Sequence, residues 1–129
     1  MLDDRIKGVM VPIITPFTDD ESIDFKSLRR LIDYLIDNGV HGIWAAGTTG
    51  EFSALEDSDR ITAIETVVDQ VRGRVPVIAN ISAPSTELAV KLGLPLKNIA
   101  VDGIAATPPY YYPHAQDELL DHFRYIKEK

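Results

Sequence analysis

Cysteine is absent from the 129 residues. Without a thiol, the chain can form no disulfide framework, no thiolate nucleophile and no cysteine-ligated zinc site. The remaining nitrogen ligands are His41, His114 and His122, and their positions do not follow the spacing of a metal-binding motif. We therefore expect no metal ion and no cofactor, and we expect the three histidines to lie on the surface or in loops.

Long apolar runs and an excess of positive charge are missing as well. A membrane-spanning helix needs about 18 consecutive apolar residues, and no stretch of the sequence is that long. The acidic start of the chain lacks the apolar region of a signal peptide. The net charge is −7, whereas nucleic-acid backbones are bound by clustered lysine and arginine. The sequence therefore predicts a cytoplasmic protein that neither spans a membrane nor binds nucleic acid.

What is present is an alternation of apolar, β-rich runs with helical patterns, which is typical of consecutive βα units on a parallel sheet. The predicted strands cover residues 8–14, 43–46, 75–80 and 103–106, and the helices follow each of them. The first run is almost entirely apolar, which predicts a strand buried on both faces.

Two helices carry clear boundary signals. Asp24 is the predicted N-cap of the first helix, whose apolar stripe runs to residue 36 and ends at an expected left-handed cap at Gly39. The third helix is predicted to begin near Glu87, after a cap at Ser85 or Thr86. Gly93 and Pro95 follow within it, so we expect a break, a kink or two short pieces.

Four βα units are half of a (β/α)₈ barrel, which has about 250 residues. Four parallel strands could instead form a small doubly wound sheet. No G-x-G-x-x-G motif follows the first strand, and the loop at residues 15–18 lacks the glycines that cradle a dinucleotide. We therefore predict an α/β fold that is the N-terminal half of a TIM barrel, with residues 1–129 forming one partial barrel and no second domain.

The loop after the second strand could bind an anion. Gly47, Thr48, Thr49 and Gly50 combine closely spaced backbone N–H groups with two hydroxyls, which suits a small carboxylate. The lysine and the spacing of a Walker loop are absent, so a nucleoside triphosphate does not fit. An ordinary tight turn built of turn-forming residues is an equally open interpretation.

A tyrosine run follows the fourth strand. Pro108 and Pro109 stiffen the backbone ahead of Tyr110, Tyr111 and Tyr112. Phenols have a reference pKa of about 10, so at neutral pH they can donate or relay a proton. Aromatic packing or an interface patch is the alternative for at least one of the three.

Four motifs in register resemble the dihydrodipicolinate synthase / N-acetylneuraminate lyase family; they lie at residues 11–17, 47–51, 75–79 and 107–112. The resemblance implies a class I, Schiff-base aldolase, lyase or synthase that acts on pyruvate or a related 2-oxo acid. It assigns the carboxylate to Thr49 and places Thr48 in a proton relay with tyrosines. It further implies that Tyr111 reaches across a dimer interface, which predicts a homo-oligomer, and that Gly47 and Gly50 shape the loop.

The resemblance also implies a nucleophilic lysine on the sixth strand and a second tyrosine after the fifth, beyond the four strands predicted here. The six lysines of the chain fall near the amino ends of strands or on helices and loops, and we expect none to replace it. We therefore expect a chain that stops before the catalytic lysine and has little activity alone. The alternative is a noncatalytic half-barrel that self-associates as an assembly module.

Overall fold

The computed structural model describes residues 4–129, in which four parallel strands alternate with four α-helices. The strands are β1 (Met10–Pro12), β2 (Gly42–Ala45), β3 (Val77–Asn80) and β4 (Gly103–Ala105). The helices are α1 (Phe25–Asp37), α2 (Asp57–Val71), α3 (Thr86–Gly93) and α4 (Gln116–Glu128). The predicted series of four βα units is confirmed.

The strands pair in chain order, β1-β2-β3-β4, and every pair is parallel. Val11 pairs with Ile43, which pairs with Val77 on its other side. A doubly wound sheet reverses its strand order at a switch point, and this sheet does not. The winding is that of a (β/α)₈ barrel, and all four carboxyl ends lie along one edge of the sheet.

The core fills the space between the sheet and its helices. Alternate strand residues such as Ile43 and Val77 face α1 and α2, whose Ile32 and Ile64 are fully buried. Full burial of one such side chain stabilises the fold by about 1.5–3 kcal/mol relative to exposure. The apolar stripe of the first helix is therefore confirmed as a core face.

The boundaries predicted for the first and third helices are present. The Asp24 carboxylate accepts a hydrogen bond from the backbone N–H of Ser27 at 2.9 Å and one from the Ser27 hydroxyl at 2.6 Å, and the hydroxyl contact first, then the backbone contact, lower the pKa of Asp24. Gly39 adopts φ +82° after the helix. Ser85 caps α3, which ends at Gly93 and continues as a separate 3₁₀ turn over Leu94–Asn98, so the expected division into two pieces is confirmed.

The first strand departs from expectation. Val9 and Ile14 are 58% and 53% exposed, so the prediction of a run buried on both faces is wrong. The strand is also only three residues long. Because β1 is an edge of an open four-stranded sheet, its outer backbone edge has no partner strand among residues 4–129.

His122 is a second correction, because it is buried (3% exposed) and not on the surface. It lies on α4, and its Nδ1 is 2.9 Å from the hydroxyl of Thr86 on α3. Nε2 has no hydrogen-bond partner among the described residues. Desolvation by burial lowers the pKa of His122, since the imidazolium loses its hydration there.

We expect this histidine to make the fold less stable in mild acid. A histidine with a lowered folded-state pKa binds fewer protons in the folded than in the unfolded chain, so its contribution is complete above about pH 6.5 and declines below it. Urea unfolding at pH 7.5 and 5.5 would show a loss of stability that His122→Gln reduces. An equal loss in His122→Gln and in the native sequence would contradict this.

Candidate active site

The loop that follows β2 lies at the carboxyl edge of the sheet. Ala46 opens it with φ +51°, and Glu51 closes it with φ +58° before a 3₁₀ turn over Phe52–Ala54. Between them the N–H of Gly50 donates to the carbonyl of Gly47 at 3.0 Å. Two non-glycine residues in the left-handed region frame a tight turn, and such backbone strain is typical of functional loops.

Gly50 is the sterically constrained glycine of this loop. A Cβ at Gly50 would lie 3.0 Å from the carbonyl oxygen of Ile13 and 3.2 Å from Oγ1 of Thr15. The buried Thr15 hydroxyl donates to the Gly50 carbonyl at 2.7 Å. This hydrogen bond therefore joins the loop after β1 to the loop after β2, and the two loops are neighbours because β1 and β2 are adjacent parallel strands.

Substitution of the two glycines should have unequal effects. Gly50→Ala should destabilise the fold by about 1–3 kcal/mol, because the added methyl meets a backbone oxygen that cannot rotate away. Gly47→Ala is the matched control, since its Cβ would make only ordinary contact with Trp44 at 3.5 Å. Chemical denaturation of both variants measures the difference, and equal stability of the two would contradict it.

Both loop threonines present free hydroxyls. Thr48 and Thr49 are exposed, and within residues 4–129 neither hydroxyl takes part in a hydrogen bond. No bond joins Thr48 to a tyrosine of the same chain. The two hydroxyls and the backbone N–H groups of Thr48 and Thr49, which have no acceptor among residues 4–129, therefore remain available to a ligand or to a partner group at the carboxyl edge.

The three tyrosines have different environments. Tyr110 packs edge-on against Phe52, with ring centroids 5.9 Å apart. Tyr111 is 86% exposed and adopts φ +84°, and its ring contacts only the exposed Tyr112 among the aromatic rings described, at 4.9 Å. The packing alternative thus fits Tyr110, whereas Tyr111 extends from the chain.

Sequence reasoning missed a buried polar cluster beneath these loops. Arg60 of α2, 4% exposed, donates through Nη2 to the carbonyls of Asn80 (3.2 Å) and Ser82 (3.0 Å). Arg60 lies four residues before Ile64 and seven before Val67, on the apolar face of the helix. That spacing was the available signal, because an arginine in an apolar stripe must find buried acceptors.

The rest of the described chain offers no alternative nucleophile or metal centre. All six lysines are exposed, as expected. Within residues 4–129, no three histidine, aspartate or glutamate side chains come together as metal ligands. In the same part of the chain, no helix has the length and apolar character needed to cross a bilayer.

A sequence profile of the Dihydrodipicolinate synthetase family matches residues 5–129. The chain belongs to this family. Its fold places two of the four motif segments, the 47–51 and 107–112 loops, after the carboxyl ends of β2 and β4, where they adjoin through Phe52 and Tyr110, while residues 75–79 lead into and form most of β3. The resemblance inferred from the sequence is therefore confirmed.

Members of the family share both the sequence and the fold of this half-barrel. The chain is 43% identical over 122 residues to 4-hydroxy-tetrahydrodipicolinate synthase of Pelobacter propionicus, covering 95% of this chain and 42% of the relative. A crystal structure of a dihydrodipicolinate synthase superposes with a TM-score of 0.92 at 41% identity, over 95% of this chain and 42% of that one.

A chloride-inhibited dihydrodipicolinate synthase from Acinetobacter baumannii, complexed with pyruvate, superposes with a TM-score of 0.93 at 35% identity, again over 95% and 42%. The chain thus spans about two fifths of the length of the relatives it matches, and it corresponds to the N-terminal half of their barrels. The predicted fold class is confirmed.

Proposed function

We propose that these residues form the 2-oxo-acid half of the active site of a Schiff-base lyase or synthase that acts on pyruvate or a related acid. The observation that carries the proposal is the Gly47–Gly50 turn, which projects two unbonded threonine hydroxyls at the carboxyl edge of a family half-barrel. Thr49 and the backbone N–H groups of the turn bind the carboxylate. Thr48 and Tyr111 carry protons.

The chemistry fits these roles. A lysine amine adds to the ketone of the 2-oxo acid and expels water, which leaves an iminium that withdraws electrons. Loss of a proton from the neighbouring carbon gives an enamine, whose carbon attacks an aldehyde. The alkoxide so formed takes up a proton, and hydroxyl groups are suited to deliver it. The lysine belongs to the sixth strand of the family's barrel, which these 129 residues do not include.

The proposal extends to assembly and location. Tyr111 and Tyr112 are 86% and 71% exposed, and two adjacent exposed rings form a surface suited to a second subunit. We place the hydroxyl of Tyr111 in the active site of a neighbouring subunit, which makes the enzyme a homo-oligomer, and we place the enzyme in the cytoplasm. No cofactor takes part in the proposed reaction.

Reductive trapping tests the proposal. Residues 1–129 joined to the C-terminal half of the Pelobacter propionicus relative should, with pyruvate and borohydride, give one covalently labelled lysine, because reduction turns the iminium into a stable amine. Residues 1–129 alone should give no specific adduct, since their lysines are all exposed.

Mass spectrometry of tryptic peptides locates the label. A folded, joined barrel that traps no pyruvate would overturn the proposed function. Stoichiometric labelling of one lysine within residues 1–129 alone would overturn the assignment of the nucleophile to the missing half.

A further inference from the structure

The buried guanidinium of Arg60 occupies an unfavourable position for a cation. It lies in the first turn of α2, at the positive end of the helix dipole. Desolvation lowers the pKa of Arg60, although Asp57, with an oxygen 3.9 Å from Nη1, acts in the opposite direction. An apolar side chain at this position could not make the polar contacts that the guanidinium makes.

The contacts of Arg60 run to the two loops of the active-site edge. Its guanidinium carbon lies 5.0 Å above the ring of Phe52, the residue directly after the Gly47–Glu51 turn. Phe52 in turn supports Tyr110 through the edge-on ring contact. One path therefore runs from Arg60 through an aromatic pair to the residue that precedes Tyr111.

A second path reaches the other end of the tyrosine run. Arg60 holds the Ser82 carbonyl beyond the end of β3, and the Ser82 hydroxyl accepts a hydrogen bond from the N–H of Thr107 at 2.8 Å. The same hydroxyl donates to the side-chain oxygen of Asn80, also at 2.8 Å, so its orientation is fixed. Thr107 begins the segment that carries the tyrosines.

Resting on the proposed function, we propose that Arg60 is a positioning residue that sets the place of Tyr111 by fixing the tyrosine loop at Thr107 and at Tyr110. Pro108 and Pro109 lie between these two points and restrict the backbone dihedral angles there. Fixing both ends of this short segment therefore fixes the direction of the backbone at Tyr111. The same guanidinium packs on Phe52 and thereby ties this loop to the threonine turn. Arg60 touches neither the substrate nor the reacting atoms.

Three substitutions separate the paths. Arg60→Lys keeps a charge but loses the planar fork and the stacked guanidinium. Phe52→Leu removes the aromatic path, and Ser82→Ala removes the hydrogen bond to Thr107. Arg124→Met is the control, since Arg124 is an exposed arginine of α4.

The first measurement uses residues 1–129 alone. Amide hydrogen exchange at Thr107, whose N–H is bonded to the Ser82 hydroxyl, should become at least about tenfold faster than in the native sequence in Arg60→Lys and in Ser82→Ala, with exchange in α1 unchanged. Phe52→Leu, which removes only the aromatic path, and Arg124→Met should leave exchange at Thr107 and in α1 as it was. Unaltered exchange of the Thr107 amide in Arg60→Lys would overturn the positioning role.

The second measurement uses the joined barrel described above. Arg60→Lys should lower kcat about tenfold to 100-fold, since a misplacement of about 1 Å can have an effect of the larger size. The KM for pyruvate and the final yield of trapped Schiff base should stay within about threefold of the native values, because Arg60 makes no contact with the 2-oxo acid and the end point of trapping does not depend on how fast protons are delivered.

A kcat that falls only in proportion to the trapped Schiff base would mean that Arg60 is merely structural and would overturn the inference. If the native joined barrel traps no pyruvate, the proposed function fails, and the exchange experiment still decides whether Arg60 fixes the loop.

Discussion

In the joined barrel, Tyr111→Phe and Thr48→Val should each lower kcat by about 100-fold or more, the usual size of an acid–base contribution. Both substitutions delete a hydroxyl and keep the shape of the side chain. Tyr111 is exposed in the isolated half-barrel, and Thr48 has no hydrogen bond there, so neither hydroxyl supports the fold of the chain itself. If steady-state kinetics show the lower kcat and thermal unfolding shows an unchanged midpoint, the loss of kcat is due to proton transfer and not to unfolding.

Thr49→Val should behave differently. A carboxylate contact is made about equally in the ground and transition states, so its loss should raise KM for the 2-oxo acid and leave kcat nearly unchanged. Tyr112→Phe is the control for Tyr111, because it keeps the exposed ring and removes a hydroxyl that the proposed proton relay does not use. Full turnover in Tyr111→Phe would remove that tyrosine from the relay and return the whole run to a packing role.

A second large effect concerns residues 1–129 as a free polypeptide. We expect it to associate at micromolar concentration, because β1 and β4 are the edge strands of the sheet that residues 4–129 form, and Val9, Leu94 and Ile104 are about half exposed. Light scattering should give a mass well above the 14.3 kDa of one chain, and a hydrophobic dye should bind.

A charge on the edge strand tests the cause. Ile104→Lys should reduce association, since a lysine on β4 opposes edge-to-edge pairing. Leu120→Lys is the matched control, because Leu120 is similarly exposed (52% against 50%) but lies on α4. A compact native monomer that binds no dye would contradict the expectation.

Local signals in the sequence were sufficient for elements whose structure is determined locally. Asp24, Gly39 and Ser85 act within one turn of their helices, so their residue types predicted the caps. The apolar stripe of α1 predicted its buried face for the same reason. The alternation of elements predicted a parallel sheet but not its strand order, because a doubly wound sheet has the same alternation; the missing dinucleotide motif favoured the barrel order.

Burial that depends on distant partners was not readable in this way. His122 is buried because α4 packs on α3, and nothing near it in the sequence distinguishes it from a surface residue. The exposure of Ile14 likewise depends on which distant residues pack beside β1, and the residues next to Ile14 in the sequence do not show this. Arg60 is intermediate, since its helical spacing indicated the apolar face, but its acceptors lie 20 and 22 residues away.

The sequence predicted where the residues of the candidate site lie, but not which of them contact one another. The turn at 47–50 and the tyrosine run lie at the carboxyl edge, as the βα pattern required. Which tyrosine packs and which extends depended on Phe52, whose ring lies under Tyr110. The roles of Thr48, Thr49 and Tyr111 stay predictions until the kinetic variants are measured.

The backbone of Tyr111 has a consequence for how this loop can change in evolution. A tyrosine at φ +84° is strained by about 1–3 kcal/mol, whereas glycine tolerates that angle and asparagine tolerates it better than most residues. Selection for stability alone would therefore replace Tyr111 with one of those residues. A chain that keeps the phenol there gives up thermodynamic stability, so descendants of this protein that are selected for thermostability and not for turnover should lose the tyrosine.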